Sequence, residues 1–119
     1  MEAATAAAQD PPHRRAPARA STSDSGGPAA YLAEFVGTFS LVFFVAAVLS
    51  VYSGSGLGYQ DFTVIGLVHV FILFLQITAL GSASGAHFNP AVTIALLVGR
   101  KIRPNDAVIY VVVQLLGGL

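Results

Sequence analysis

The chain has 119 residues, of which 55% are hydrophobic and only 10% are charged, and its mean hydropathy is +0.71. Soluble domains carry about 25% charged residues, so this composition indicates a membrane protein. The formal net charge of zero gives no indication of a nucleic-acid partner, and the absence of cysteine excludes disulfides, thiolate metal sites and cysteine nucleophiles.

The first 28 residues predict a disordered tail. Alanine, proline, serine and glycine dominate residues 1–28, which have too little apolar surface to offset the entropy lost on ordering. No apolar run of signal-peptide length occurs before Ala29. An organelle transit peptide is the alternative, but the acidic residues of the tail argue against it. The charged residues here are Glu2, Asp10, Arg14, Arg15, Arg19 and Asp24.

Two long apolar segments come after the tail. Residues 29–52 contain one charged side chain, Glu34, and residues 62–80 contain none. A Gly/Ser-rich loop over residues 53–61 separates the two segments. Because about 20 residues of helix cross the roughly 30 Å of hydrocarbon in a bilayer, the sequence predicts two transmembrane helices here.

Small side chains recur along the first of these segments. Ala29, Ala33 and Gly37 are spaced by four residues and would share one helix face. In a membrane such a face lets another helix approach closely. A buried helix of a soluble protein is the alternative, but the length of the segment and its near absence of charge argue against it.

The next apolar segment is too short to span. After a run of small residues over 81–88, residues 89–98 supply about 15 Å of helix, roughly half of the hydrocarbon thickness. A soluble core helix, an interfacial helix and a half-helix that enters the membrane and returns all fit this length. Arg100, Lys101 and Arg103 come after the segment, and the other basic residues lie in the tail. The positive-inside rule places both clusters in the cytoplasm, so the short segment is expected to leave and re-enter on one face.

A last helix is predicted to begin near Asp106, with Asn105 or Asp106 as its cap. It contains about 14 residues, which is too few to span, so the chain is expected to end inside a third transmembrane helix. The predicted fold class is an all-α membrane protein with two full spans, a re-entrant half-helix and the start of a third span.

Asn89 and Pro90 open the predicted half-helix. Asn is a strong N-cap and Pro is favoured at the first helical position. A capping Asn accepts a backbone N–H with its oxygen and keeps the two donors of its NH₂ group. The irregular backbone before it must bury its carbonyls in protein or turn them to water. Carbonyl acceptors that lead to these donors suit single-file water, and the positive end of the helix dipole opposes cations. A capped surface helix is the alternative.

Residues 84–93, SGAHFNPAVT, resemble the first Asn-Pro-Ala signature of the major intrinsic proteins, the aquaporins and glycerol facilitators. Residues 33–44, AEFVGTFSLVFF, are similar to the first helix of that family, and residues 114–118 to its third. The resemblance implies six spanning helices and two half-helices in inverted repeats, of which this chain holds the first repeat. It also implies a tetramer with one pore per subunit. The second Asn-Pro-Ala and the pore arginine of the family are absent from this sequence, which leaves independent transport open.

The predicted pore residues are the motif and its neighbours. The Asn-Pro-Ala motif is Asn89, Pro90 and Ala91, and the predicted carbonyl ladder is Gly85, Ala86, His87 and Phe88.

His69 is the predicted selectivity-filter residue. It lies 20 residues before Asn89, the offset at which the family places a filter residue on its second helix. Some plant vacuolar members have His there, water-selective members often have Phe, and glycerol or metalloid channels often have Trp. A mid-span histidine is costly in lipid and should face a polar lumen, where Leu73 and Gln76 would share its face as pore wall. A histidine bonded between helices is the alternative.

Glu34 is the predicted support of the loop before Asn89. A buried carboxylate needs donors, which the backbone N–H groups of that loop can supply, and the resemblance implies the same role. A side chain that reaches interfacial water is the alternative. His87, Phe88 and Thr93 are interpreted as packing residues, and His69 with His87 lacks the spacing and further ligands of a metal site.

The leading functional prediction is an aquaporin-type channel subunit for water, with glycerol, ammonia or urea as further solutes. The alternative is a truncated, non-conducting product that inserts and associates with full-length subunits. A membrane enzyme has little support, because Glu34, His69 and His87 form no recognisable catalytic spacing. No cofactor is expected; the predicted partners are the solute, the lipid bilayer and, for a complete protein, a homotetramer. The predicted location is the plasma membrane, with several spans and a cytoplasmic N-terminus.

Overall fold

The computed structural model describes residues 26–52, 54 and 56–119. These residues form four helices, α1 (Pro28–Tyr52), α2 (Tyr59–Ser84), α3 (Pro90–Val98) and α4 (Pro104–Gly117), and no strand. The predicted all-α fold class is therefore confirmed. Most of the tail predicted over residues 1–28 lies outside the described residues, and α1 takes in the last of that range.

Two of the helices are long and apolar enough to cross a membrane. α1 has 25 residues and α2 has 26, and the most apolar windows of both have a mean hydropathy of 2.2. Most of their large apolar side chains are exposed in the isolated chain, as expected for surfaces that face lipid or other membrane helices.

α2 is about one turn longer at each end than predicted. At its start the Gly58 N–H donates to Asp61 Oδ2 at 2.7 Å, which satisfies one of the unpaired groups at the helix N-terminus. At its end Gly85 has φ +87° and donates its N–H to the Gly81 oxygen at 2.9 Å, the usual left-handed stop of a helix. The expected irregular run over residues 81–88 is wrong in its first half, because nothing before Gly85 breaks the helix.

α3 and α4 are short helices that each have a proline at the first position. α3 has nine residues, about 14 Å of helix, and begins directly after Asn89. α4 has 14 residues and begins at Pro104, so the prediction that Asn105 or Asp106 caps it is wrong. Proline at this position needs no N–H partner and already has helical φ, which starts the helix earlier than the capping residues suggest.

Helix α1 lies between α2 and α4, and α3 packs against α4. The backbones of α1 and α4 approach closely at Gly117, where an added Cβ would lie 2.6 Å from the Phe35 carbonyl oxygen. Ala33 and Gly37 are buried on α1 as the small-residue face predicts, but Ala29 is exposed and Ala30 is buried in its place. The buried face of α1 therefore begins at Ala30 and not at Ala29.

One end of the α1–α4 interface is held by an ionic cluster, which we call the Asp106 cluster and which consists of Tyr31, Arg103 and Asp106. The Tyr31 hydroxyl donates to Asp106 Oδ1 at 2.8 Å, and Arg103 Nε donates to Asp106 Oδ2 at 2.7 Å. The Asp106 side chain is buried, so both bonds are partly shielded from solvent. Asp106 thus ties α1 to the α3–α4 connection instead of capping α4.

Candidate functional site

The α2–α3 loop, residues 85–89, turns sharply because three of its positions have unusual backbone angles. After Gly85, φ is +56° at Ala86 and +47° at Phe88. Residues other than glycine adopt this left-handed region rarely, at a cost of about 1 kcal/mol each, and only where surrounding contacts hold them. Phe88 is held by the bond from its N–H to Glu34 of α1, and Ala86 by the bond from its N–H to the Ser84 hydroxyl at the end of α2.

The carboxylate of Glu34 binds the backbone of this loop. The N–H of His87 donates to Oε1 at 2.9 Å, and the N–H of Phe88 donates to Oε2 at 2.6 Å. The Ser84 hydroxyl also donates to Oε1, at 2.6 Å. Glu34 is fully buried, and a buried carboxylate is stable only with such donors.

Gln114 of α4 supplies the fourth donor to Glu34 and links it to α3. Its Nε2 donates to Glu34 Oε2 at 2.7 Å and to Thr93 Oγ1 at 3.0 Å. Thr93 Oγ1 also lies 3.0 Å from Nδ1 of His87. Glu34, Ser84, His87, Thr93 and Gln114 therefore form one buried hydrogen-bonded set, which we call the Glu34 network.

Four backbone carbonyls of the loop have no donor among the described residues. Within the part of the chain that the structure describes, no N–H or hydroxyl group donates to the carbonyl oxygens of Gly85, Ala86, His87 or Phe88. The loop thus has two sides: the N–H groups of residues 86–88 bind the Glu34 network, and the carbonyls of residues 85–88 accept from none of the described donors. The use of these carbonyls as a ladder of acceptors stays a prediction.

Asn89 caps α3 and keeps its donors. Its Oδ1 accepts the Ala91 N–H at 2.8 Å, which fixes the orientation of the amide plane. Its Nδ2 donates to none of the described residues, and the side chain is exposed. Two oriented N–H donors therefore stand at the N-terminus of α3, where the helix dipole is positive.

A cavity of about 420 Å³ lies beside Asn89, between α1 and the loop. His69 of α2 lines it too, so the structure brings the predicted filter residue and the first two residues of the predicted Asn-Pro-Ala motif to one cavity. Most of its wall is apolar, and none of the described residues that line it is acidic. The lining residues are Thr38, Leu41, Val42, Val45, Ala46, Leu49, His69, Phe88, Asn89 and Pro90.

Leu73 and Gln76 do not line this cavity, although they were predicted to share the face of His69 as pore wall. Gln76 is buried, and neither of its polar side-chain atoms has a hydrogen-bond partner among the described residues. Helical spacing predicts one shared face for the three residues, but the packing of α2 against α1 decides which of them reach the cavity. Only the His69 end of that face reaches the cavity.

Several members of the site were not predicted from the sequence. Thr93, interpreted as a packing residue, has a fully buried hydroxyl in the Glu34 network, and Thr38 places a buried, unpaired hydroxyl at the cavity wall. Ser84 and Tyr110 were not singled out at all. A polar residue inside an otherwise apolar helix was the available signal for Thr38 and Tyr110. Among the described residues, no group of three His, Cys, Asp or Glu side chains could hold a metal ion.

The sequence matches a known family over most of its length. Residues 21–119 match the family model described as Major intrinsic protein. The chain belongs to the major intrinsic protein family. The resemblance recognised in the sequence is thereby confirmed, and with it the all-α membrane fold of which these residues form the N-terminal portion.

Several members of the major intrinsic protein family align with this chain. It is 42% identical over 89 residues to Glycerol uptake facilitator protein-like 6 of Lactiplantibacillus plantarum, covering 75% of this chain and 38% of the relative. It is 43% identical over 102 residues to Aquaporin AqpM of Methanothermobacter thermautotrophicus, covering 72% and 42% respectively. Probable aquaporin TIP-type alpha of Phaseolus vulgaris is 37% identical over 94 residues, with 76% and 37% covered. The chain spans about two-fifths of the length of these relatives, and no solved structure matches it significantly.

Proposed function

We propose that this chain forms one half of the wall of a membrane pore that passes water and small neutral solutes. The observation that carries the proposal is Asn89: its oxygen is used by the helix cap, and its two N–H donors are exposed at the cavity. A water molecule that reaches this point can give its oxygen to Asn89 and turn its hydrogens away. The unpaired carbonyls of residues 85–88 supply acceptors along the approach.

The charge distribution of the cavity favours neutral solutes. The N-terminus of α3 contributes a positive partial charge beside Asn89, and no acidic side chain of residues 26–52, 54 or 56–119 lines the cavity to attract a cation. A cation would therefore lose its hydration without gaining a counter-charge. This combination supports passage of water and other uncharged hydrogen-bonding molecules, such as glycerol, ammonia or urea.

In this proposal His69 is a selectivity residue. Its side chain is exposed at the cavity wall that otherwise consists of α1 side chains and the loop. An imidazole can donate or accept a hydrogen bond, which a phenyl ring at the same place could not. His69 would therefore admit polar solutes that a purely apolar constriction would reject.

The orientation and assembly belong to the same proposal. Arg100 and Lys101 are exposed between α3 and α4, which supports a cytoplasmic position for this connection and for the N-terminus. We further propose that the chain acts in a plasma membrane and, as part of a complete pore, in a homotetramer.

A second candidate role is a subunit that inserts without conducting. The supporting observation is that Asn89 and His69 are exposed, while the chain covers about two-fifths of its relatives. A wall of this extent would need a further wall opposite it before the cavity became a pore.

Osmotic shrinkage of vesicles that contain the chain tests the proposal, with Asn89→Asp as the decisive variant. Aspartate is as good an N-cap as asparagine and can still accept the Ala91 N–H, so α3 should keep its start. The variant loses both donors and brings a negative charge to the cavity. We expect water permeability to fall to that of empty vesicles.

Asn105→Asp is the matched control, since it makes the same change at an exposed position in the first turn of α4. It should leave permeability unchanged. Equal permeability of the Asn89→Asp variant and the unaltered chain would disprove the assigned role of Asn89. No water flow from the unaltered chain would instead support the second, non-conducting role.

A further inference from the structure

Ser84 is the last residue of α2 and the point at which three elements meet. Its hydroxyl donates to Glu34 Oε1 at 2.6 Å and accepts the Ala86 N–H at 3.1 Å. Its carbonyl is one of those at a helix C-terminus that find no partner within the helix. The hydroxyl of Tyr110 donates to this carbonyl at 2.8 Å.

This bond lies in a fully enclosed position. Tyr110 is 0% exposed and Ser84 is 1% exposed. The Tyr110 ring packs edge-on against His87, with ring centroids 5.0 Å apart. Tyr110 and Gln114 stand one turn apart on α4, so this helix contacts the start of the loop with one side chain and the Glu34 network with the other.

The hydrogen bond from Tyr110 distinguishes the Ser84 carbonyl from the carbonyls that follow it in the chain. The Ser84 carbonyl is used by Tyr110, whereas those of Gly85 to Phe88 accept from none of the described donors. We infer that Tyr110 is a positioning residue. Because its hydroxyl occupies the Ser84 carbonyl, the ladder of free carbonyls begins at Gly85, and the loop is held in the conformation that exposes Asn89. The inference rests on the proposed function for the use of the ladder, but the contact itself can be tested separately.

Removal of the Tyr110 hydroxyl would leave the Ser84 carbonyl without its donor. An unpaired carbonyl in a buried site is costly, so the Ser84 peptide would turn toward another donor or admit water. Because the positive φ angles of Ala86 and Phe88 are maintained only by surrounding contacts, loss of one contact should weaken the bonds of the loop to Glu34. The hydrogen bonds from the N–H groups of His87 and Phe88 to Glu34 should then break more often.

The test is Tyr110→Phe in the whole chain in lipid bilayers, studied by solid-state NMR. The variant keeps the ring and removes only the hydroxyl. We expect an upfield shift of the Ser84 carbonyl carbon and about a tenfold faster hydrogen exchange at the His87 and Phe88 amides. Amides in the middle of α1 should exchange at an unchanged rate, which a general loss of stability would not allow.

Tyr31→Phe is the matched control, because it removes a hydroxyl from the neighbouring ring, whose centroid lies 6.0 Å from that of Tyr110. That hydroxyl donates to Asp106 and not to the loop, so the Ser84 carbonyl and the loop amides should not respond. If Tyr110→Phe does not fold, 3-fluorotyrosine incorporated at position 110 gives a stronger donor. The Ser84 carbonyl should then shift downfield.

The inference would be overturned if Tyr110→Phe left the chemical shift of the Ser84 carbonyl carbon unchanged, or if the His87 and Phe88 amides exchanged no faster than before. These readouts do not depend on transport, whereas water flow through the unaltered chain tests the proposed function. A shifted carbonyl without water flow would support Tyr110 as the residue that holds the loop and count against the pore.

Discussion

The two sides of the α2–α3 loop use the same backbone in opposite ways. On one side the N–H groups of His87 and Phe88 bind the carboxylate of Glu34, inside a buried network. On the other side the carbonyls of residues 85–88 accept from none of the described donors, and the Asn89 NH₂ group is free of such partners beside a cavity. We call the hydrogen-bonded N–H side the satisfied side and the other the unsatisfied side. The satisfied side holds the loop in place, so the polar groups of the unsatisfied side can face a passing molecule without bonding to one another.

The largest expected effect comes from breaking the satisfied side at its centre. Glu34→Gln replaces two acceptor oxygens with one oxygen and an NH₂ group that faces the donors of Phe88 and Gln114. We expect the free energy of unfolding to fall by about 3 kcal/mol, because two charge-assisted hydrogen bonds are lost. Denaturation in mixed micelles, followed by circular dichroism, measures this loss.

Asp61→Asn is the control for that substitution. Asp61 accepts one N–H at the exposed start of α2, so the loss should stay below about 1 kcal/mol. Similar losses in the two variants would mean that the Glu34 network adds no more stability than an ordinary cap.

A somewhat smaller effect is expected from crowding the loop. Gly37→Ala places a Cβ 2.2 Å from the ring of Phe88, which is 2% exposed and cannot move without displacing the loop. Overpacking of this kind costs about 1–3 kcal/mol. Gly66→Ala meets no atom within 4 Å and should stabilise α2 by up to about 1 kcal/mol. In micelles the midpoint of thermal unfolding should fall for Gly37→Ala and rise for Gly66→Ala. An unchanged midpoint for Gly37→Ala would contradict the packing described.

Removal of one hydroxyl from the network should cost less again. Thr93→Val keeps the shape of the side chain but leaves His87 Nδ1 and one donor of Gln114 without their partner, at a cost of about 1 kcal/mol or slightly more. Thr78→Val is the comparison, since the Thr78 hydroxyl is exposed and bonds only to its own helix. Equal stability of the two variants would remove Thr93 from the network.

Substitution of His69, on the cavity side, is expected to have the smallest effect on stability. Its effect on solute selectivity should be large. His69 is exposed and has no hydrogen bond among the described residues, so His69→Phe should change the free energy of unfolding by less than about 0.5 kcal/mol. In vesicles that conduct, it should lower the uptake of glycerol and ammonia relative to water. Unchanged relative uptake of the three solutes would exclude His69 from the filter.

Much of this arrangement could be predicted from local signals. Span lengths, the half-length of α3 and the Asn-Pro cap depend on residues next to one another in sequence, and the family and the all-α membrane fold that they indicate are confirmed. Helix ends were less predictable, because a left-handed Gly85 and a first-turn Pro104 set the ends of α2 and α4.

The sequence by itself determined which segments are apolar enough to enter a membrane and where a helix must begin with free amide donors. Only the tertiary structure decided which partners each polar group has. Ser84 and Gln114 reach Glu34 across 50 and 80 residues of chain, and Gln76 leaves the cavity face that its helical spacing suggested. Helical periodicity specifies a direction around one helix axis, whereas a hydrogen bond between helices depends on their crossing angles and depth, which only packing establishes.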